Sequence, residues 1–136
     1  MYVLLGSNGN ITSKLATLLL AQGAAVRVVG RNAESLGPLK AAGVDIARGG
    51  VADAGVLARA VAGATAAYTM IPTEYSAPDL TASQDRIGTA IAYAIAAAGV
   101  KRAVNLSSIG AHLSSGTGPI AGLHRQEQRL NSLDGT

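Results

Sequence analysis

Apolar positions along this chain follow two rhythms in turn. Short continuous runs, Tyr2-Val3-Leu4-Leu5, Ala25-Val26-Arg27-Val28-Val29 and Ala103-Val104-Asn105-Leu106, have the length of strands buried on both faces. Residues 44–48 and 66–71 read the same way, the second stopped by Pro72. Between these runs, apolar residues recur every third or fourth position: Ile11, Leu15, Leu18 and Leu19, then Val56, Leu57, Ala60 and Val61, then Ile87, Ile91, Ala94 and Ile95. A weaker stripe of Leu123, Leu130 and Leu133 predicts a final helix over 120–133. Glycines at 23, 43, 63 and 99 stand where helices end in a left-handed residue. Asp53 stands where the third helix needs a cap. Gly37-Pro38 interrupts the second helical stretch, and the reading there is a main helix beginning at Pro38 and ending at Gly43.

Strands alternating with helices at this spacing require parallel crossovers. The fold expected is therefore α/β, a doubly wound parallel sheet of order 3-2-1-4-5 with helices on both faces, in one domain spanning residues 1–136. Residues 73–79 and 110–119 read as loops.

The first strand runs into Gly6-Ser7-Asn8-Gly9 and then into a helix. Strand, glycine turn and helix N-terminus together hold a phosphate, because backbone N–H groups approach it closely and the helix adds partial positive charge. The spacing is Gly6-x-x-Gly9-x-x-Thr12, not the G-x-G-x-x-G of the dinucleotide fingerprint. A bare strand-to-helix turn without a ligand is the alternative. Ser7, Asn8, Asn10 and Ile11 would line the pyrophosphate.

Composition narrows the function. Apolar residues make up 49% and charged residues 14%, which suits close helix–sheet packing. Cysteine is absent, removing thiolate catalysis and Cys-based zinc sites, and fitting a cytoplasmic protein. The net charge of +3 is scattered, and four tyrosines are the only aromatic residues, so a nucleic-acid surface is not expected. No apolar run reaches the ~18 residues of a membrane span. His112 and His124, with no carboxylate at ligand spacing, make no metal site.

Arg31 follows the second strand, where a carboxylate would bind the ribose 2′-hydroxyl of NAD; an arginine there suits the 2′-phosphate of NADP, making NAD the lesser cofactor. A solvated loop arginine is the alternative. Met70, Ile71 and Pro72 end the fourth strand, where the crevice of such a sheet opens, and are expected to cover the nicotinamide-side ribose. Core packing is the competing role for Met70. Glu127, Arg125 and Arg129 read as a solvated helix face, and the two histidines as packing or surface residues.

Together, GSNGNITSKLATLLLAQG, VRVVGRN, GVADAGVLARAVAG, AAYTMIP, AAAGVKR and VNLSSIGAHLSSGTGPIAGLHRQEQRL resemble the NmrA-like branch of the atypical short-chain dehydrogenase/reductases over the whole chain. The resemblance implies a Rossmann fold binding NAD(P), in a family that includes NADPH:quinone oxidoreductases and dinucleotide-binding co-regulators. Three departures from the family pattern stand out. Thr12 replaces the third glycine, and Gly49-Gly50 stands where Gly-Asp is common, weakening the adenine side. The Tyr-x-x-x-Lys of catalytic members falls on Pro119 and Leu123, neither of which can protonate a carbonyl. Ser107 or Ser108 matches the catalytic serine position, and Ser107 also joins the expected cofactor-binding residues. His124 lies beside the lost lysine, so Ser107 and His124 are the remaining catalytic candidates.

The expectation is an NADPH-binding oxidoreductase passing hydride to a quinone or similar small acceptor. The alternative is a non-catalytic NADP sensor that binds a protein partner. Family members continue past Gly135-Thr136 into a sixth strand and a substrate-binding lobe, both expected to be absent here, which leaves strand five as an apolar edge suited to self-association.

Overall fold

The computed structural model describes residues 1–7 and 9–133, apart from the side chains of residues 33 and 35. Its elements, in chain order, are β1 (Tyr2–Leu5), α1 (Asn10–Ala21), β2 (Val26–Gly30), α2 (Ala33–Ala41), β3 (Asp45–Arg48), α3 (Ala54–Val61), β4 (Ala66–Thr69), α4 (Leu80–Ala97), β5 (Ala103–Asn105) and α5 (Ile120–Asn131). The five strands form one sheet in the order β3-β2-β1-β4-β5, every pair parallel, as the sequence implies.

The strand sequences look continuously apolar because each sheet face is covered. Val3, Leu5 and Val29 point into a core shared with α3 and α4, where Leu57, Ile87 and Ile91 are fully buried. Leu4, Val26 and Val28 point the other way, toward Ala16 of α1 and Leu36 and Leu39 of α2. Alternate residues of one strand thus feed two cores, which is what a parallel sheet demands. Arg27 is the exception within β2. Its guanidinium pairs with Asp45 on β3 at 2.7 Å and donates to the carbonyl of Ala60 at 2.9 Å, so it satisfies the end of α3.

Helix α2 departs from expectation. It begins at Ala33 and passes through Gly37-Pro38 rather than starting there. The Asn32 side chain accepts from the Glu34 N–H at 2.8 Å, capping the helix early, and Leu36 and Leu39 are buried beneath it. Burial of two leucines and a good cap outweigh the one backbone bond the proline removes.

On helix α5 the expected apolar stripe is present, but Arg125, Glu127 and Arg129 are not a solvated face. Leu123, Leu130 and Leu133 pack against the main core, while its polar residues grip neighbouring elements. Arg125 and Arg129 both reach Asp85 on α4, at 2.7 and 2.5 Å. Partial burial pushes the Asp85 carboxyl up, but the hydrogen bonds and charges of the two arginines outweigh it and hold the group below the usual carboxylate range. Gln84 of α4 lies over Gly122 of α5, and Gln126 of α5 lies over Gly88 of α4, so each glycine makes room for the other helix's glutamine. The Gln84 amide donates to the Pro119 carbonyl at 3.0 Å.

At the far side of the sheet β5 is the outer strand among the described residues, with Val104 65% exposed. No helix among them is long and apolar enough to cross a membrane.

Candidate functional site

All five strands end on the same side of the sheet, and the loops that follow them enclose a crevice. The turn after β1 is its centre. Gly6 has φ of +88°, a conformation that favours glycine, and its N–H continues the ladder to Val29 O at 3.1 Å. A Cβ on Gly6 would stand 3.2 Å from Met70 Sδ, so the bare backbone also admits the methionine. Gly9 caps α1 in an extended conformation and has no side chain of its own to bond the first-turn N–H groups, and no acidic residue lies in that turn. Those N–H groups therefore face the crevice without a competing carboxylate.

Thr12 resolves the question raised by the missing third glycine. It is buried, and its hydroxyl donates to the Leu5 carbonyl at 3.4 Å, turning a bulky substitution into a tie between strand end and helix. Ala16, one turn further along, is fully buried and gives α1 its close approach to the sheet.

Two cavities flank the turn. The larger, about 480 Å³, starts at Gly6, Ser7 and Gly9, crosses Gly30, Arg31 and Asn32 at the end of β2, and reaches Gly49, Gly50 and Val51 beyond β3. Met70, Pro72 and Thr73 close its rim after β4. Arg31 is exposed; its Cδ lies 3.5 Å from where a Cβ of Gly50 would stand, so the side chain leans across the end of β3. The smaller cavity, about 270 Å³, lies on the other side, between Asn10, Ile11 and Thr12 and the residues Tyr68, Met70 and Leu106. Met70 is common to both.

The residues expected at the site divide accordingly. Gly6, Ser7, Gly9, Asn10, Ile11, Arg31, Met70 and Pro72 line one cavity or both, while Asn8 lies outside the described residues. Ile71 does not join them: it is 6% exposed and packs into the main core beside Gly88. Strand alternation explains this, since Met70 and Ile71 must point to opposite faces.

Ser107 also lines neither cavity. Its hydroxyl donates a short hydrogen bond to the Glu127 carboxylate on α5. His124 likewise serves packing: its Nδ1 lies 2.7 Å from the Ala111 carbonyl and donates to it, fastening the loop before α5. His112 is exposed. Pro119 caps α5 and Leu123 packs in the core, so the positions of the family's tyrosine and lysine carry no proton donor. No cluster of three or more His, Cys, Asp or Glu among the described residues converges as a metal site.

Sequence reasoning missed Tyr68, Leu106, Gly30 and the Gly49–Val51 segment as lining residues. Each sits at the carboxyl end of a strand, so the rule that placed Met70 applied to them too. Tyr68 is 8% exposed, and burial pushes its phenol pKa up, so it faces the smaller cavity as a neutral hydroxyl.

Comparison with known proteins agrees with this geometry. The sequence model of the NAD(P)H-binding family matches residues 6–130. The chain superposes on the Citrobacter triphenylmethane reductase complexed with NADP(H) with a TM-score of 0.82 at 20% identity, covering 99% of this chain and 46% of that one. For the NADPH-dependent quinone oxidoreductase of Escherichia coli complexed with NADPH the values are 0.78, 19%, 98% and 46%. For the Bordetella bronchiseptica enzyme WbmG in complex with NAD and UDP they are 0.73, 26%, 98% and 49%. The chain thus spans about half the length of these structures. No match was found among curated proteins.

Proposed function

Because the chain belongs to the NAD(P)H-binding family, as its resemblance to the NmrA-like reductases implied, we propose that it binds NADPH along this crevice and serves hydride transfer to a small acceptor such as a quinone. The observation that carries the cofactor choice is Arg31 at the end of β2, on a cavity whose described lining contains no carboxylate. NAD needs an acceptor for its ribose 2′-hydroxyl there, whereas the 2′-phosphate of NADPH needs a cation. The glycine turn and the uncapped N-terminus of α1 suit the pyrophosphate, and the smaller cavity suits the nicotinamide end, with Ile11, Met70 and Leu106 giving it apolar walls. The cofactor supplies the hydride when bound; the chain orients it and keeps water from one face. A quinone suits a site without a tyrosine acid, because its reduced oxygens can take protons from solvent.

Calorimetric titration of the wild-type chain and Arg31→Ala with NADPH and NADH tests the cofactor reading. A charge-assisted contact contributes ~1.5–3 kcal/mol, so the variant should lose NADPH affinity by about one to two orders of magnitude and leave NADH little changed. Equal losses for both nucleotides would remove Arg31 from the 2′-phosphate.

A second reading has its own support. Ser107 and His124 are both engaged by structural partners, Glu127 and the Ala111 carbonyl, which favours a dinucleotide sensor over a reductase. Steady NADPH consumption with simple quinones separates the two. Binding without turnover would leave the sensor.

A further inference from the structure

The smaller cavity carries a polar group that neither the fold nor the cofactor reading above has used, the hydroxyl of Tyr68; the inference deepens that reading and rests on it. In the sheet Tyr68 stands between Leu4 of β1 and Val104 of β5, so the three side chains leave on one face, the face that α1 and α2 cover. Over β5 that face is open, and Val104 is exposed. Met70 and Leu106, each two residues further along, leave on the same face and wall the cavity with Ile11 of α1. The Tyr68 ring packs in the core beneath α1 and also lines the cavity, and the residue is only 8% exposed. Among the described residues nothing hydrogen-bonds its hydroxyl. Polar groups on residues so buried ordinarily have a partner, and here it is whatever fills the cavity, solvent in the free chain and a ligand atom in a complex. The other two polar side chains of the lining are placed differently. Thr12 gives its proton to the Leu5 carbonyl, and Asn10 is exposed in the first turn of α1, on the pyrophosphate side.

Burial keeps the phenol protonated, so it is a donor. A nicotinamide ring is flat and apolar except for its carboxamide, whose carbonyl oxygen is an acceptor. The ring suits the walls made by Ile11, Met70 and Leu106, and the carbonyl suits Tyr68. We propose that the Tyr68 hydroxyl donates a hydrogen bond to the carboxamide carbonyl of NADPH and thereby fixes which way the nicotinamide is turned in the smaller cavity. No proton is transferred in this contact; Tyr68 binds and orients the cofactor.

The test compares wild type with Tyr68→Phe, which removes the oxygen and keeps the ring. Each is titrated calorimetrically with NADPH and with 2′,5′-ADP, the adenosine half of the cofactor without its nicotinamide. The variant should bind NADPH about three- to tenfold more weakly, the worth of one neutral hydrogen bond, and bind 2′,5′-ADP within about twofold of wild type. The 3-acetylpyridine analogue of NADPH, which keeps the carbonyl and lacks the amide nitrogen, should show the same loss as NADPH. Unchanged NADPH affinity in the variant would overturn the proposal. Equal losses for NADPH and 2′,5′-ADP would do so too, because they would mark a structural effect on the whole crevice. A loss seen with NADPH and absent with the analogue would move the contact from the carbonyl to the amide nitrogen and overturn it as well. Failure of the wild-type chain to bind NADPH would instead overturn the cofactor reading on which the proposal stands.

Discussion

Ser7 and Gly30 are in direct contact across β1 and β2: a Cβ added at position 30 would fall within the Ser7 side chain. Ser7 belongs to the turn that faces the crevice and is 7% exposed, so it has no room to retreat. Gly30→Ala should therefore displace the turn itself. We expect a loss of about 1–3 kcal/mol in denaturant unfolding, the range for overpacking a filled site, together with weaker NADPH binding. Unchanged stability would mean that Ser7 moves aside freely.

Thr12 offers the opposite experiment. Restoring a glycine at this position should destabilise the protein, because the residue now ties α1 to the Leu5 carbonyl. Thr12→Val, which keeps the shape and removes the hydroxyl, should cost about 1 kcal/mol. Thr12→Gly should cost more, since glycine in a helix adds roughly another 0.5–1 kcal/mol. Thermal unfolding of the three proteins ranks them; a glycine variant as stable as wild type would refute the tie.

The Asp85 cluster sets an acid limit. The folded carboxyl is held below its ordinary value, so its contribution is present in full above the unfolded pKa and is lost as pH falls through the depressed folded one. From about pH 4 downward, stability should drop more steeply in wild type than in Asp85→Asn. At neutral pH the variant should be weaker by on the order of 1 kcal/mol, a figure already reduced for the partial exposure of all three side chains. Parallel acid limbs in the two proteins would count against the assignment.

Ser107 makes a prediction about chemistry. Its proton is given to Glu127, so it is not available to a substrate oxygen. Ser107→Ala should leave NADPH affinity within about twofold and lower stability by about 1 kcal/mol. In any quinone-reductase assay the variant should keep its kcat. A kcat loss of a hundredfold with NADPH affinity intact would return Ser107 to the reacting centre.

The fold was readable from residues alone because both rhythms of burial are strong here. Runs such as Tyr2–Leu5 could only be strands covered on two faces, and the helix stripes between them left one topology. Three features escaped for local reasons. Proline at 38 argued for a later helix start, yet the Asn32 cap and two buried leucines decided it. Arg125, Glu127 and Arg129 look solvated on a helical wheel, because their partners Asp85 and Ser107 lie 40, 20 and 44 residues away in sequence. Ile71 was separated from its neighbour Met70 by strand alternation continuing just past the end of β4. At the site, the glycine turn was legible because its chemistry is written in the backbone. The walls were legible in part: Arg31, Met70 and Pro72 follow from their places at strand ends, whereas Gly30, Gly49–Val51, Tyr68 and Leu106 come to the crevice only through the way the sheet brings four strand ends together.

Those walls have an uneven origin along the chain. Apart from Leu106, every residue lining the two cavities lies between positions 6 and 73, while α4, β5 and α5 lend mainly support. In the proposed reading, the residues that would hold the nucleotide lie in roughly the first half of the sequence, and α4 and α5 build the core that supports them. Saturation mutagenesis scored for NADPH retention should separate the cavity-lining positions between 6 and 73 from the later helices, where the sensitive positions are the buried core residues Ile87, Ile91 and Ile95 and the glycines 88 and 122, at which any side chain would run into Gln126 or Gln84.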